Sequence, residues 1–368
     1  MATGFVFHEL YLWHDTRAPA LYVPAGLTVQ PGENAENPET KRRMKNLLEV
    51  AGLSDDLVRL KPRPATEAEL ARLHTPAHIA NIRAMSAAGG GEASPGTPFG
   101  AGSFEIAKLA AGGAIVALEA VLAGTVRNAY ALIRPPGHHA VADQGMGYCL
   151  FANAALAILH GRAVHGLGRV AVVDWDVHHG NGTEAAFYDD PETLTISLHQ
   201  DNLYPLDSGK MEARGSGAGM GANLNIPLPP GSGDGAYLAA FEQVVLPALD
   251  RFRPDLVLVA SGFDASAADP LGRMMVTSEG YRTMTAMLMK AADRLCGGRI
   301  VMTHEGGYSA AYVPYCGLAV LEELSGHRTG VEDPFLADFA NFGQQSLQPH
   351  QAAVIAAAAR HLDGIPTG

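Results

Sequence analysis

The chain has 368 residues, 47% hydrophobic and 17% charged, a balance that excludes a disordered chain and supplies a large buried core. With 26 basic and 38 acidic residues the formal charge is −12, which argues against direct nucleic-acid binding, because neutralising phosphates needs basic surface. The same charge would attract cationic substrates such as lysine side chains or polyamines, although solubility alone also accounts for it. The three cysteines, Cys149, Cys296 and Cys316, form no CxxC pair and predict no disulfide framework. Met1 to Val23 lacks a basic start followed by a long apolar run, so no secretory leader is expected. No apolar stretch reaches the roughly 18 residues of a membrane helix, and the default expectation is a soluble cytoplasmic protein with no membrane partner.

In chain order, Ala88–Gly102 is rich in Gly, Ala, Ser and Pro and reads as a surface loop rather than a linker between two cores. A helical pattern over Phe104–Leu122 precedes an apolar strand at Ala129–Ile133. A helix at Ala152–Arg162 leads to strands at Val170–Val173 and Leu194–Leu198. The glycine-rich stretch Asp207–Gly221 reads as an irregular loop near the site or at a subunit contact. A helix over Ala236–Arg251, a strand at Leu256–Ala260, a helix over Ser278–Leu295 and a strand at Ile300–Thr303 complete the pattern. There is no internal repeat. Strands alternating with helices predict an α/β fold: a single domain over residues 1–368 with a mostly parallel multi-stranded sheet covered by helices on both faces.

Each of the five strands leads into chemically capable residues. The first runs into Arg134-Pro-Pro-Gly-His138-His139, and the second into Asp174-Trp-Asp176-Val-His178-His179-Gly-Asn-Gly182. The third ends at His199, the fourth runs into Ser261-Gly-Phe-Asp264, and the fifth into His304-Glu305-Gly-Gly-Tyr308. Ligands of open α/β sheets bind outside the carboxyl ends of the strands, so these five ends should converge on one crevice.

In an extended segment Asp174, Asp176 and His178 share one side, with Val173, Trp175 and Val177 on the other. Buried carboxylates need a compensating cation, and a metal ion supplies one. Asp264 is the third candidate ligand; spacing alone leaves zinc, iron or manganese open. His138 and His139 are adjacent and do not comfortably ligate one metal together. They read instead as proton-transfer groups, with Asp174 and Asn181 as partners for their second ring nitrogens. Gly306-Gly307 lets Tyr308 turn into the crevice, where its hydroxyl would support a developing oxyanion.

These segments resemble the arginase/deacetylase superfamily, and closely the class II-type histone deacetylases and bacterial histone deacetylase-like amidohydrolases. The matching motifs, in order, are Arg134–Ala140, Gly147-Tyr-Cys149, Asp174–Gly182, Ser261–Asp264 with Asp269-Pro270, and Glu305–Tyr308. The resemblance covers roughly residues 1–330. It implies one catalytic zinc held by Asp176, His178 and Asp264, with His138 as general base, His139 as acid or electrostatic partner, and Tyr308 polarising the acetyl carbonyl. Asp174 matches the carboxylate behind His138. Behind His139 class I relatives carry aspartate, whereas Asn181 stands here, as in class II.

The resemblance further implies an acyl-lysine tunnel lined by Tyr148 and Tyr204, beside Gly147, with Leu271 at the rim. It implies structural potassium near Asp174, Asp176, His178, Ser197 and Leu198, and a second ion near Phe187. The implied substrate is acyl-lysine or a related acylated amine, and the implied assembly a homo-oligomer, dimer or tetramer. Polyamine-selective relatives often carry an acidic rim residue; Leu271 tilts the reading towards acyl-lysine or a general amide. Two other readings compete with a deacetylase. A binuclear manganese ureohydrolase of the arginase type needs more carboxylates than His178-His179-Gly-Asn supplies and leaves Tyr308 without a role. A non-catalytic acetyl-ligand reader would go with loss of Tyr308 or of a ligand, and both are retained.

Overall fold

The computed structural model describes residues 2–20, 23–343 and 345–368; Met1, Leu21 and Tyr22 of the stretch read for a leader, and Gln344, lie outside the described residues. The described residues form ten strands: β1 (Thr3–Val6), β2 (Val58–Leu60), β3 (Gly90–Glu92), β4 (Pro98–Gly100), β5 (Asn128–Ala131), β6 (Val170–Asp174), β7 (Thr193–Gln200), β8 (Asn223–Leu228), β9 (Leu256–Ser261) and β10 (Ile300–His304). Eight of them form one sheet in the order β2-β1-β5-β10-β9-β6-β7-β8. Every pairing in it is parallel.

The five strands read from apolar runs are the five contiguous central strands, β5, β10, β9, β6 and β7. Burial on both faces explains their legibility: Ala171 and Val173 of β6 enter one apolar core, Val170 and Val172 the other. Helices Ser103–Leu122 and Asn153–His165 pack in the second core; Ser278–Cys296 and Val313–Ser325 pack in the first. The strands without such a run lie towards the edges. β2 is three residues long and largely exposed, and β8 has the polar sequence NLNIPL with Pro227 on an edge strand.

Three expectations need correction. Ala88–Gly102 is not simply a loop: β3 and β4 pair antiparallel within it, Phe99 is buried, and Gly100 N donates to Asp15 O at 2.8 Å. The helix expected over Ala236–Arg251 is divided into Asp234–Ala240, a π turn at Phe241–Val245, and Leu246–Phe252. Pro247 offers no N–H to the helical ladder, and just before it Leu246 N bonds back to Phe241 O in the wider π register. Finally, β7 runs through His199 to Gln200 rather than ending at His199.

Candidate active site

Four strand ends meet at one crevice. After β6 the chain leaves the ladder in a series of bends, yet the expected two-sidedness survives. Trp175 and Val177 are fully buried in the apolar core. Each carboxylate caps the backbone two residues on: Asp176 N donates to Asp174 Oδ1 at 3.0 Å, and His178 N to Asp176 Oδ1 at 2.9 Å. The loop after β9 brings Asp264, whose Oδ1 accepts from Val177 N at 2.8 Å.

Asp176, His178 and Asp264 each offer a ligand atom, all within 4.8 Å of one another. His178 Nδ1 faces both carboxylates, 3.0 Å from Asp176 Oδ1 and 3.2 Å from Asp264 Oδ2. Asp264 Oδ2 is buried with no well-formed hydrogen bond. Gly306 closes the cradle: a Cβ there would lie 2.0 Å from Asp264 Oδ2 and 2.7 Å from Asp176 Oδ2. Two buried carboxylates and an imidazole converging on one point, one oxygen lacking a hydrogen bond, fit a divalent cation.

The histidine pair lies beside this cluster, with ring centroids 4.0 Å apart. His138 Nδ1 bonds to Asp174 Oδ2 at 2.9 Å and His139 Nδ1 to Asn181 Oδ1 at 2.7 Å, so both expected partners are in place. The acceptor oxygens fix the tautomers, with each Nδ1 donating. Tyr308 stands with its ring centroid 6.4 Å from that of His178. Tyr148 is 6.0 Å from Tyr308, and Tyr204 is 5.0 Å from His139 and 6.1 Å from His178. Gly147 is obligatory between these rings. Its φ is +53°, and a Cβ would fall 2.2 Å from His139 Cδ2 and 2.9 Å from Tyr204 Cε1. Leu271 is half-buried in the turn beyond Asp264.

Burial opposes charge on His138, but Asp176 and Asp174 outweigh it and hold its pKa well above the ordinary histidine value. For His139, burial and then the neighbouring His138 and His178 act together and push it well below. Burial also disfavours the charged form of His178; the Asp176 carboxylate bonded to it and the Asp264 carboxylate beside it reverse that and raise it to about 10. Burial and then the Asp176 charge raise Asp264 to about 7. Two adjacent histidines are thereby driven in opposite directions.

A histone deacetylase domain model matches residues 34–324. The chain is 54% identical over 345 residues to a histone deacetylase-like amidohydrolase of Pseudomonas aeruginosa, covering 93% of this chain and 90% of that protein. The chain belongs to the histone deacetylase family. It is also 37% identical over 319 residues to the human polyamine deacetylase HDAC10, covering 84% of this chain and 46% of that longer protein. The crystal structure of the HDA15 HD domain superposes with a TM-score of 0.86 at 33% identity, covering 98% of this chain and 96% of that one. Membership of this deacetylase family agrees with the parallel sheet and with the crevice at its strand ends.

The third strand end behaves differently from the other four. His199 bonds to Ser197 Oγ at 2.9 Å and Gly209 O at 3.0 Å, and its ring lies against His179 at 4.9 Å. It braces the Asp207–Gly221 loop, whose Ser208 Oγ also meets His179 Nδ1 at 2.5 Å. That loop is therefore near the site, the first of the two placements its composition allowed. Ser197 pairs with Asp174 across β6 and β7, Leu198 is the next residue of β7, and Phe187 ends the short helix Asn181–Phe187.

Three groups around the crevice escaped the motif reading. Glu305 Oε2 accepts from Gly137 N at 2.6 Å and His138 N at 3.1 Å, fastening the histidine pair to the end of β10. Asp269 accepts from Tyr308 N at 2.7 Å. Both, like Arg134, lie inside the matching motifs, so position was the available signal. The third is the fully buried Arg134, which makes a bidentate pair with Glu36, itself bonded to Lys41 Nζ at 3.1 Å. Glu36 and Lys41 stand in no motif, and only folding brings them beneath Tyr308, whose ring centroid is 5.9 Å from Lys41 Nζ.

Among the described residues a second His/Glu group, Glu119, His160 and His165, also meets ligand spacing. His160 already bonds Glu119 at 2.8 Å and Glu69 at 3.1 Å, and Arg63 pairs with both carboxylates.

No described helix is long and apolar enough to cross a membrane. The three cysteines are buried and free.

Proposed function

We propose that the protein is a zinc-dependent amidohydrolase that cleaves the linear amide of acyl-lysine, or of a related acylated amine, releasing a carboxylate and the free amine. The observation that carries this is the convergence of Asp176, His178 and Asp264 beside an Asp-held histidine and a tyrosine. When bound by those three ligands, zinc supplies Lewis-acid polarisation of a carbonyl and acidifies water.

The chain's own groups have separable tasks. Asp174 holds His138 Nδ1–H, leaving Nε2 to take a proton from the attacking water. The Tyr308 hydroxyl donates to the oxygen that gains charge as the amide carbonyl is attacked. A protonated histidine of the pair then donates to the departing amine nitrogen. His139, held by neutral Asn181 and stacked beside His138, supports that transfer. Tyr148 and Tyr204 would flank the acyl-bearing alkyl chain and exclude water from it. We read the strand ends at Asp174, Asp176, His178, Ser197 and Leu198, and the neighbourhood of Phe187, as potassium sites that stiffen the base of the crevice. The core runs from Phe5 to Ile365, and we read the chain as a single deacetylase domain.

Chelation should abolish turnover of an acetyl-lysine peptide, and one zinc per chain should restore it. Two manganese per chain would instead support a ureohydrolase, and a zinc-loaded protein inert towards every acyl-amine would support a binding role. With uncharged Leu271 at the rim, the acetyl-lysine peptide should outpace acetylputrescine. Much faster turnover of acetylputrescine would overturn the acyl-lysine preference and favour a polyamine deacetylase.

A further inference from the structure

We propose that Asp269 is a positioning residue that sets the Tyr308 phenol and the Leu271 rim from one carboxylate, and that it acts on turnover through Tyr308. This rests on the reading of Tyr308 as the donor to the substrate carbonyl oxygen.

Asp269 Oδ2 accepts from Tyr308 N at 2.7 Å. Its Oδ1 accepts from Leu271 N at 2.8 Å and from Gly272 N at 3.2 Å. One side chain therefore spans two loops, and all three partners are backbone amides. A charged acceptor makes such bonds shorter and stronger than a neutral one.

The chain before Tyr308 creates the need for this anchor. Gly306-Gly307 is conformationally permissive, and Gly307 has a φ of +118°. Gly306 is tied at its N to Asp176 Oδ2 at 2.8 Å and at its carbonyl oxygen to Phe263 N at 3.0 Å, and the next tie along the chain is Tyr308 N on Asp269. Removing the Asp269 tie leaves the positive-φ Gly307 as the hinge between the fixed Gly306 carbonyl and the residue that carries the phenol. On the other side Gly272 packs directly on Asp264, where a Cβ would lie 2.2 Å from the Asp264 carbonyl oxygen. Through Gly272 and Tyr308, Asp269 thus joins the turn that carries one candidate ligand to the loop that carries the phenol. Displacement of a reacting group by about 1 Å can cost on the order of 10²-fold in rate.

The experiment is a double-mutant cycle on the zinc-loaded full chain: wild type, Tyr308→Phe, Asp269→Asn and the double variant. Zinc content and thermal midpoint are measured for each, with Asp269→Glu as the variant that keeps the charge. Asp269→Asn should lower kcat on an acetyl-lysine peptide by about 10- to 100-fold, with much less change in KM. It should add less than about threefold once Tyr308 is phenylalanine. Its effect should shrink on a trifluoroacetyl-lysine peptide, whose electron-poor carbonyl depends less on the phenol. Asp269→Glu should recover part of the loss.

Multiplicative losses in the double variant, or an unchanged kcat for Asp269→Asn while Tyr308→Phe is crippled, would overturn the proposal. So would loss of zinc or a collapsed thermal midpoint in both Asp269 variants, because the residue would then be scaffold. Full activity of Tyr308→Phe would instead sink the role given to the phenol.

Discussion

Two clusters among the described residues bring histidine and carboxylate within metal-ligand distance, and they differ in what neutralises the charge. At Glu119, His160 and His165 the protein supplies its own cation: Arg63 bonds Glu69 in a bidentate fork at 2.7 and 2.9 Å and lies 3.7 Å from Glu119. At Asp176, His178 and Asp264 no arginine or lysine lies within ion-pair distance among the described residues, and the only basic partners are imidazoles. Ligand spacing is therefore a poor discriminator by itself. A cluster that is buried, keeps an unbonded carboxylate oxygen and lacks a resident cation is one that calls for an ion from outside.

The contrast can be broken by mutation. The largest effect should come from Asp264→Ala: zinc falls from one per chain to near zero and acetyl-lysine turnover is lost, read by metal analysis and a deacetylation assay. Zinc retained at one per chain would mean that the buried cluster is not the site. The next should come from Asp174→Asn, which keeps the shape behind His138 but not the charge. It should lower kcat by about 10- to 100-fold with zinc still bound.

The Arg63-neutralised cluster should answer in stability rather than activity. Burial raises Glu69, but its bonds to Arg63 and Thr66 win and hold it at about 2, below its ordinary 4.5. A carboxylate lowered in the fold contributes stability fully above about 4.5, and loses it as pH falls towards about 2. Glu69→Gln should therefore cost about 1–3 kcal/mol by denaturant unfolding near pH 7. That difference from wild type should close as the pH is lowered through this window. An equal deficit at every pH would mean that packing, not charge, is what Glu69 provides. The smallest effect belongs to His165→Ala, an exposed change that should leave zinc content and kcat untouched and stability within about 0.5 kcal/mol. A second zinc that disappears with His165 would erase the distinction between the clusters.

The sheet's centre was legible because parallel strands buried on both faces carry runs of apolar residues, and β5, β6, β7, β9 and β10 are buried along their whole length. The edge strands were not: β2 is three residues long and largely exposed, and β8, though buried, interrupts its apolar residues with Asn223, Asn225 and Pro227. The split helix at Phe241–Val245 traces to one residue, Pro247, but its register depends on packing that a periodicity cannot report.

At the site, the order of motifs was enough to nominate the ligand trio, the histidine pair with Asp174 and Asn181, and Tyr308, because strand ends in such a sheet share one crevice. Only the tertiary structure decided that His199 turns away to brace a loop. Only it showed that Asp269 accepts from the Tyr308 backbone and Glu305 from those of Gly137 and His138. And only it brought Glu36 and Lys41 to Arg134. Chain periodicity determines which way a side chain leaves its own strand, whereas a hydrogen bond between segments about 100 residues apart exists only once the sheet has ordered them.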